Sequence, residues 1–273
     1  MKKSDDFKAR ASRNYYENIT LMNDWFMTKF FQDRKLETQE ILRIILDKPD
    51  LVVKKVETQR PVQGFEKSLR LDVYAIDSKK NIHDIEIQRR NEGASPERAR
   101  FHSSMLDADS LKKNEHYKSL PETHIIFITE NDVLKGDKQI YHIVRTIDEL
   151  GNKEFGDGAH IIYVNASKPD TETELGKLLQ DFTNPDPNTM NNKILRDRMY
   201  ELKEKEEETM LLYEEYIQKR EMEVEKKTEK RTQSKMIRNL LKKNYTPEMI
   251  ETLLEVPMPL IKEVQAKMEA KKT

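Results

Sequence analysis

The stretch LRLDVYAIDSKKNIHDIEIQRR, residues 69–90, decides the fold because it encodes two strands and the turn between them. Apolar and polar residues alternate on both sides of the polar turn at 77–81, as in a β-hairpin. A hairpin fixes its register through its turn, so this turn places Asp72 directly opposite Glu86. The other face of the two strands carries the apolar residues Leu71, Val73, Ile85 and Ile87.

Two carboxylates facing each other on neighbouring strands require an explanation, since their Cβ atoms would lie roughly 4.5–5.5 Å apart. Like charges at that distance destabilise a sheet unless a positive charge lies between them. A divalent cation shared by Asp72 and Glu86 would supply that charge. The alternative is an exposed strand face with scattered charges, and the pairing itself depends on a register that a one-residue slip would undo.

The composition limits the kinds of protein and site that are possible. A chain of 273 residues is long enough for one α/β domain and a smaller appendage. The absence of cysteine excludes disulfides and thiolate metal sites, and it leaves oxygen ligands such as carboxylates. The net charge is −1 although 36% of the residues are charged, so the chain has no overall basic field that would attract nucleic acid.

Charge and hydropathy along the chain limit its partners. Contact with nucleic acid must come from local basic clusters, each of which is also typical of a solvated edge. The clusters are Lys54-Lys55, Lys79-Lys80, Arg89-Arg90, Arg98 with Arg100, and Lys112-Lys113. No apolar run approaches the roughly 18 residues that span a membrane, and the opening MKKSDDFKAR lacks the apolar core of a signal peptide. We therefore expect a cytoplasmic protein without membrane contact.

Helix and strand signals mix in the first part of the chain. Apolar spacing predicts helices at 23–31 (NDWFMTKFF) and 37–46 (ETQEILRIIL), and a first strand at 51–58. After the hairpin, Ser95-Pro96-Glu97 begins a helix that should run to about Asn114. The runs HIIFIT (124–129) and HIIYVN (160–165) are typical of strands buried on both faces. This order predicts an α/β fold with a mixed sheet flanked by helices.

Composition changes after the last glycine, Gly176, and the segment Asn184-Pro185-Asp186-Pro187 is the predicted linker. We expect an extension at 1–20, the α/β domain at 21–187, a charged helical arm at 188–232 and a small all-α tail at 233–273. The thin apolar stripe of the arm would allow pairing with another chain. The tail has the outline of a helix-turn-helix unit, for which packing or dimerisation is favoured over DNA recognition because a basic face is lacking. Its predicted core is Ile237, Leu240, Leu241, Ile250, Leu253, Leu254, Leu260, Ile261 and Val264.

The spacing of Asp72, thirteen residues, and then Glu86-Ile87-Gln88 resembles the active-site signature of the PD-(D/E)XK nuclease superfamily. The chain more closely resembles its transposase and recombination-promoting nuclease group. The matching stretches, in order, are RLDVYAID, IEIQRR, PERARFHSSMLDAD, SLPETHIIFITENDV, IYHI and DGAHIIYVN, and they span most of 23–182. The resemblance implies a restriction-endonuclease-like mixed sheet with flanking helices.

The resemblance also implies a metal site. Asp72 and Glu86 would be the metal-binding carboxylates, the backbone carbonyl of Ile87 would add a ligand, and Asp24 on the first helix would complete the set. Asp24 could instead be an acid that stabilises a helix N-terminus, with Glu40 on the next helix as the substitute ligand. Mg²⁺ suits oxygen ligands of this kind, and Mn²⁺ could replace it.

The third signature position departs from the superfamily, because Gln88 stands where Lys is usual. A neutral amide can donate a hydrogen bond but supplies no charge to the reacting phosphate. The group that the chain resembles also shows Gln there, so Gln88 is compatible with activity. In a second, minor departure, Leu71 rather than Pro precedes Asp72.

Further side chains are assigned supporting roles. Arg98 and His102 lie one turn apart on the helix after the signature, and Arg98 is expected to contact phosphate rather than form a surface ion pair. Arg89 is a second candidate for phosphate contact. His102, where related sequences often carry Tyr, is expected to be a buried hydrogen-bonding histidine, and Tyr74 to pack beside the site. The remaining histidines show no metal-ligand spacing and are expected to be structural, among them His124 and His160.

Three functions follow from the resemblance and its departures. The first is a metal-dependent DNA endonuclease that acts in recombination, mobile-element biology or defence, with DNA as partner and a homodimer formed through the C-terminal helices. Gln88 and the near-zero net charge would suit a second function, nucleic-acid binding or assembly without catalysis. The third is an RNA nuclease, because a site that cleaves phosphodiester bonds does not by itself distinguish RNA from DNA.

Overall fold

The computed structural model of the chain describes residues 13, 15–64, 66–89 and 91–269, so the opening segment 1–12 and Arg90 of the Arg89-Arg90 pair lie outside it. The main α-helices are α1 (Asp24–Phe31), α2 (Lys35–Leu46), α3 (Pro96–Ser110), α4 (Glu174–Thr183), α5 (Lys193–Glu204), α6 (Glu206–Lys242), α7 (Pro247–Leu254) and α8 (Met258–Glu269). The strands are β1 (Val53–Val62), β2 (Leu69–Asp77), β3 (Ile82–Gln88), β4 (Thr123–Thr129), β5 (Ile140–Ile143), β6 (Thr146–Ile147), β7 (Lys153–Glu154) and β8 (Ala159–Asn165).

The central feature is a six-stranded sheet with the strand order β1-β2-β3-β4-β8-β5. Strands β1, β2 and β3 form an antiparallel meander, whereas β3, β4 and β8 run parallel. Helix α3 provides the crossover that two adjacent parallel strands require. Strand β5 closes one edge antiparallel to β8, and β6 and β7 form a separate hairpin. The predicted mixed sheet flanked by helices is confirmed.

The register of the β2–β3 hairpin is also confirmed. Tyr74 pairs with Asp84 and Ile76 with Ile82, as the predicted turn requires. In that turn the Asp77 N–H donates to the carbonyl oxygen of Asn81 at 3.1 Å, and the Asp77 carboxylate accepts the Asn81 N–H at 2.9 Å. The same register, continued beyond the paired residues, sets position 72 opposite position 86. The slip that would separate the two acids is therefore excluded.

Helix α3 covers the sheet face that carries the two acids. Its Ala99 and Leu106 pack on a buried cluster that includes Tyr74, Phe127 and Tyr163. The helix begins as predicted, with the Ser95 hydroxyl accepting the backbone N–H of Arg98. It ends at Ser110 rather than near Asn114, because the backbone becomes extended at Leu111 and takes a positive φ of 73° at Asn114. The expected end of this helix was therefore wrong by one turn.

Helix α5, which follows the predicted linker, packs against the first two helices, α1 and α2. The Arg198 guanidinium donates to the carbonyl oxygens of Lys29 and Phe30 at 2.7 and 3.2 Å, which satisfies carbonyls at the end of α1. Arg34 forms an ion pair with Glu201, in which Nη2 of Arg34 lies 2.7 and 2.8 Å from the two carboxylate oxygens. The chain forms two compact units, with the boundary after Met210. The predicted functional boundaries at 187/188 and 232/233 stay predictions.

The second unit, which starts at Leu211, has its own small core. Thr246 caps α7 and Pro247 opens it, as the sequence indicated. Leu253 is 60% exposed, so its assignment to this core was wrong, because it lies on the outer face of the short α7. The buried side chains are Ile237, Ile250, Val256, Ile261 and Val264, with Leu240, Leu241, Leu254 and Leu260 packed against them. None of the helices in the described ranges is long and apolar enough to cross a membrane.

The hairpin core supplies a prediction about stability. Ile85 is fully buried on the sheet face opposite the acids, so Ile85→Ala removes methyl groups and leaves a cavity. We expect a loss of about 2–5 kcal/mol in the free energy of unfolding, measured by urea titration. Ile143, which is 38% exposed on the edge strand β5, gives the matched control Ile143→Ala with a much smaller loss. Equal losses in the two variants would contradict the assigned core.

Candidate active site

Asp72 and Glu86 are held together by the backbones of the strands that carry them. The Asp72 N–H donates to Oε1 of Glu86 at 2.9 Å, and the Ile87 N–H donates to Oδ2 of Asp72 at 3.2 Å. Each carboxylate thus accepts a hydrogen bond from the neighbouring strand. The exposed fractions are 8% for Asp72 and 0% for Glu86. The alternative of an exposed strand face with scattered charges was therefore wrong.

Burial and neighbouring negative charges both raise the pKa values of these acids. Burial, followed by the negative charge of Asp24, raises the pKa of Asp72 from 3.8 to about 6. Burial, followed by the charges of Asp84 and Asp72, raises the pKa of Glu86 well above its usual value. Negative charges gathered out of water are costly unless a positive charge joins them.

Asp24 reaches the site electrostatically from the first turn of α1. It follows the N-cap Asn23, whose side chain accepts the backbone N–H of Phe26 at 3.1 Å. The position of Asp24 therefore suits both of its expected roles, because it lies at a helix N-terminus and also acts on Asp72. Glu40, the substitute ligand, accepts a hydrogen bond from Asn192 at 2.9 Å and so contributes to helix packing.

Asp84 is a functional candidate that sequence reasoning missed. It is fully buried on the same strand face as Glu86, two residues away, and burial and the Asp72 charge raise its pKa. Its Oδ2 lies 2.8 Å from Nδ1 of His102, whereas its Oδ1 is buried without a hydrogen-bond partner. The predicted register could have found it, since that register already placed Asp84 beside the Asp72–Glu86 pair and on the same face.

His102 and Arg98 form a hydrogen-bonded chain that links Asp84 to Glu86. The Arg98 Nε–H donates to Nε2 of His102 at 3.3 Å, and Arg98 Nη2 donates to Oε2 of Glu86 at 2.9 Å. Because Arg98 can only donate, His102 Nε2 must be the acceptor and Nδ1 must carry the proton that bonds Asp84. Burial lowers the pKa of His102, in agreement with a neutral ring. His102 is the buried hydrogen-bonding histidine that the sequence predicted.

Gln88 and Gly93 meet at the end of β3. The Gln88 Nε2 lies 3.4 Å from Oε2 of Glu86, so the amide belongs to the same group. A Cβ atom on Gly93, in the short turn Asn91–Ala94, would lie 2.1 Å from Oε1 of Gln88. Glycine at 93 therefore leaves the space that the Gln88 side chain occupies. The sequence held no signal for this contact, because it depends on the path of the turn.

Tyr74 and Arg89, which the sequence analysis assigned to the site, make their contacts with residues outside the acid cluster. Tyr74 is buried, and the Arg60 guanidinium stacks 3.9 Å above the centre of its ring, which favours packing as its role. Arg89 is exposed and forms a surface ion pair with Glu130 at 3.1 Å. The structure thus brings together Asp72, Glu86, Gln88, Asp24, Arg98 and His102, whereas Arg89 is exposed and paired with Glu130.

The donor set fits a hard divalent cation. It consists of carboxylate oxygens, and the partnerless Oδ1 of Asp84 is the kind of buried polar atom that an ion or water normally satisfies. Ligand atoms of Asp84, Glu86 and His102 lie within 4.8 Å of one another. Both His102 nitrogens already have partners, so the carboxylates are the better ligands. The carbonyl of Ile87 stays a predicted ligand.

The mixed sheet with flanking helices and the buried acid cluster are consistent with a nuclease-like α/β fold. The family model for the PD-(D/E)XK nuclease family transposase matches residues 21–239, and the chain belongs to that family. No curated protein and no solved structure was found to match the chain. PD-(D/E)XK nucleases use divalent metals, and membership implies a nucleic-acid substrate.

The raised pKa of Asp72 predicts a pH effect on the metal-free protein. Between pH 3.8 and about 6 the folded protein keeps a proton that the unfolded chain has released, so stability falls as the pH rises through this range. Asp72→Asn cannot ionise and should be more stable than wild type at pH 7 by up to about 3 kcal/mol, but not at pH 4. Urea unfolding in EDTA at both pH values measures the difference. An equal effect at the two pH values would contradict the assignment.

Proposed function

We propose that the protein is a metal-dependent DNA endonuclease of the transposase-like type, which hydrolyses phosphodiester bonds in recombination, mobile-element or defence processes. Mg²⁺ is the proposed cofactor, and Mn²⁺ is expected to substitute for it. A cytoplasmic location and a homodimer formed through the C-terminal helices are parts of the same proposal. The family supports the general kind of reaction, and the acid cluster supports the metal requirement.

One observation carries the proposal, namely the pairing of the buried side chains of Asp72 and Glu86 across β2 and β3. A packing role would favour apolar side chains at these positions, because burying acids beside one another weakens the fold. Instead, one backbone N–H group of each strand donates a hydrogen bond that holds one of the two carboxylates in place. Such an arrangement is expected where a cation is to be bound.

The proposed ligands are Asp72, Glu86, the carbonyl of Ile87 and Asp24, with Asp84 added because of its partnerless oxygen. When bound, the metal would activate a water molecule and neutralise charge on the scissile phosphate. The backbone hydrogen bonds to Asp72 and Glu86 fix the two carboxylates in advance, so binding requires little reordering.

Arg98 is the proposed phosphate contact within the site. Its side chain is 38% exposed, and its bonds to Glu86 and His102 leave further N–H donors directed to solvent. A guanidinium matches the oxygen geometry of a phosphate and stays charged at all relevant pH values. His102 acts as a positioning residue, since it orients Arg98 from the buried Asp84. Arg89 would extend phosphate contact to the rim.

Gln88 takes the position at which related nucleases usually place Lys. Its amide lies beside Glu86 and can donate a hydrogen bond to the attacking water or to a phosphate oxygen. It brings no positive charge, and Arg98 supplies the nearest one among the residues described for this cluster. We therefore propose that Gln88 orients the attacking water or a phosphate oxygen, whereas Arg98 supplies the positive charge that stabilises the reacting phosphate.

Cleavage of supercoiled plasmid tests the proposal. Purified wild type should nick the plasmid with Mg²⁺ or Mn²⁺ and not with EDTA. Asp72→Asn and Glu86→Gln should each reduce the rate by about 100-fold or more, since they remove charge at the reacting centre. Glu149→Gln, in an exposed turn, is the matched control and should cut at the wild-type rate.

Two outcomes would contradict this function. If folded wild type binds plasmid without cutting it under any metal, the nucleic-acid-binding alternative is supported instead. If cutting persists in both acid variants, the assigned site is wrong. Single-stranded and double-stranded RNA as competitors separate the RNA nuclease from the DNA nuclease, because the preferred substrate will suppress plasmid nicking at the lower concentration.

The contact between Gly93 and Gln88 gives a second variant test. Gly93→Ala should displace the flexible Gln88 amide and leave the fold intact, because the near atom is the end of a side chain. We expect cleavage to fall roughly 10- to 100-fold, as for other losses of orienting contacts, with an unchanged melting temperature. The double variant Gly93→Ala with Gln88→Ala should be no slower than Gln88→Ala alone. Additive losses would show that Gly93 acts by another route.

A further inference from the structure

Three histidines form a continuous stack across the sheet on the face opposite the acid cluster. His83 on β3 pairs in register with His124 on β4, which pairs in turn with His160 on β8. Neighbouring ring centres are 4.9 and 4.8 Å apart, and the rings are tilted by only 23° and 16°. The order of the parallel strands creates this row, which the spacing of the histidines along the chain does not reveal.

Glu122 completes a set of metal-ligating side chains at one end of the row. Ligand atoms of Glu122, His124 and His160 lie within 4.8 Å of one another. Glu122 immediately precedes β4, and its backbone carbonyl accepts the N–H of Ile82 at 2.8 Å, which fixes its position beside the hairpin. Gly158, with a φ of 74°, passes close to the Glu122 side chain just before β8 begins.

The hydrogen bonds of the two most deeply buried rings, His83 and His124, are incomplete. The Nδ1 atoms of His83 and His124 are buried and have no hydrogen-bond partner, although both rings are at least 97% buried. His83 lies 3.3 Å from Asp77 through its Nε2, so that ring is already anchored. A purely structural histidine would be expected to satisfy its ring nitrogens.

We propose that Glu122, His124 and His160 form a second metal site, specific for a borderline transition-metal ion such as Zn²⁺. Two imidazoles and one carboxylate suit Zn²⁺, Co²⁺ or Ni²⁺ better than Mg²⁺, which prefers oxygen ligands. His83 stacks behind His124 and is a positioning residue. The bound ion ties β4 to β8 at the ends where these parallel strands begin, on the sheet face away from the proposed nuclease site.

The ligand atoms must approach one another when an ion binds. At zinc-to-ligand distances of about 2.0–2.2 Å, two ligands of one tetrahedral ion lie roughly 3.3–3.6 Å apart, closer than the 4.8 Å limit here. The exposed Glu122 can rotate toward the ion, and the half-buried His160 ring must turn out of its stack on His124 to direct its lone pair there. The charge of Lys48 also reaches His83 and His124 and opposes a cation, whereas the Glu122 carboxylate favours one. An ion held by three protein ligands would keep a position for water.

Metal titration of the full chain, freed of any histidine tag and stripped with EDTA, tests the site. With excess Mg²⁺ present throughout to occupy the acid cluster, isothermal titration with ZnCl₂, and the visible absorption of bound Co²⁺, should reveal one equivalent bound by wild type. Glu122→Gln and His160→Ala should each weaken this binding by at least about tenfold, since even outer-shell changes cost 10- to 100-fold. The melting temperature of wild type should rise with Zn²⁺ and that of the variants should not.

Two controls separate this site from the acid cluster and from general surface binding. His116→Ala removes an exposed histidine elsewhere and should keep the wild-type affinity, as should the double variant Asp72→Asn with Glu86→Gln. Binding that survives Glu122→Gln and His160→Ala but is lost in the acid double variant would overturn the proposal. So would the absence of Zn²⁺ binding by wild type. The conservative Glu122→Gln, at an exposed position, guards against a result caused by misfolding.

Discussion

The pairing of Asp72 with Glu86 across the β2–β3 hairpin is the constraint on which the rest of the structure depends. The five-residue turn fixes the register, and the register decides that both acids lie on the same face. Backbone N–H groups of both strands then hold the carboxylates, and burial raises their pKa values. Helix α3 covers this face and brings Arg98 and His102 to the acids, so the crossover connection also completes the site.

The sheet carries polar side chains on both faces, and the two sets differ in chemistry. One face gathers carboxylates with an arginine, which suits a hard cation and a phosphate. The other aligns imidazoles along the first positions of the parallel strands, which suits a borderline metal. Alternation of side chains with period two explains the separation, because His83 and Asp84 are neighbours in the chain and point to opposite faces. The hairpin register positions the acids, whereas the histidine row also requires the parallel pairing of β3, β4 and β8.

Local patterns predicted most of the fold, and the hairpin best of all, because turn position and alternation are short-range signals. The same register places Asp84 beside the Asp72–Glu86 pair, although Asp84 is not one of the signature positions. The histidine row could not be predicted from spacing, since it depends on the order in which β3, β4 and β8 assemble. The closeness of Gly93 to Gln88 depends on the path of a turn, and the end of α3 depends on a positive φ at Asn114. Neither has a signature in the sequence.

The central claim is that Asp72 and Glu86 bind one cation together, and direct binding of Mn²⁺ tests it without reference to any substrate. Calorimetric titration of wild type, Asp72→Asn and Glu86→Gln at pH 7.5 compares the three proteins above the raised pKa of Asp72. The account predicts that wild type binds Mn²⁺ and that either substitution weakens binding by at least about tenfold, because each removes a charged ligand. Equal Mn²⁺ affinity in all three folded proteins would contradict it.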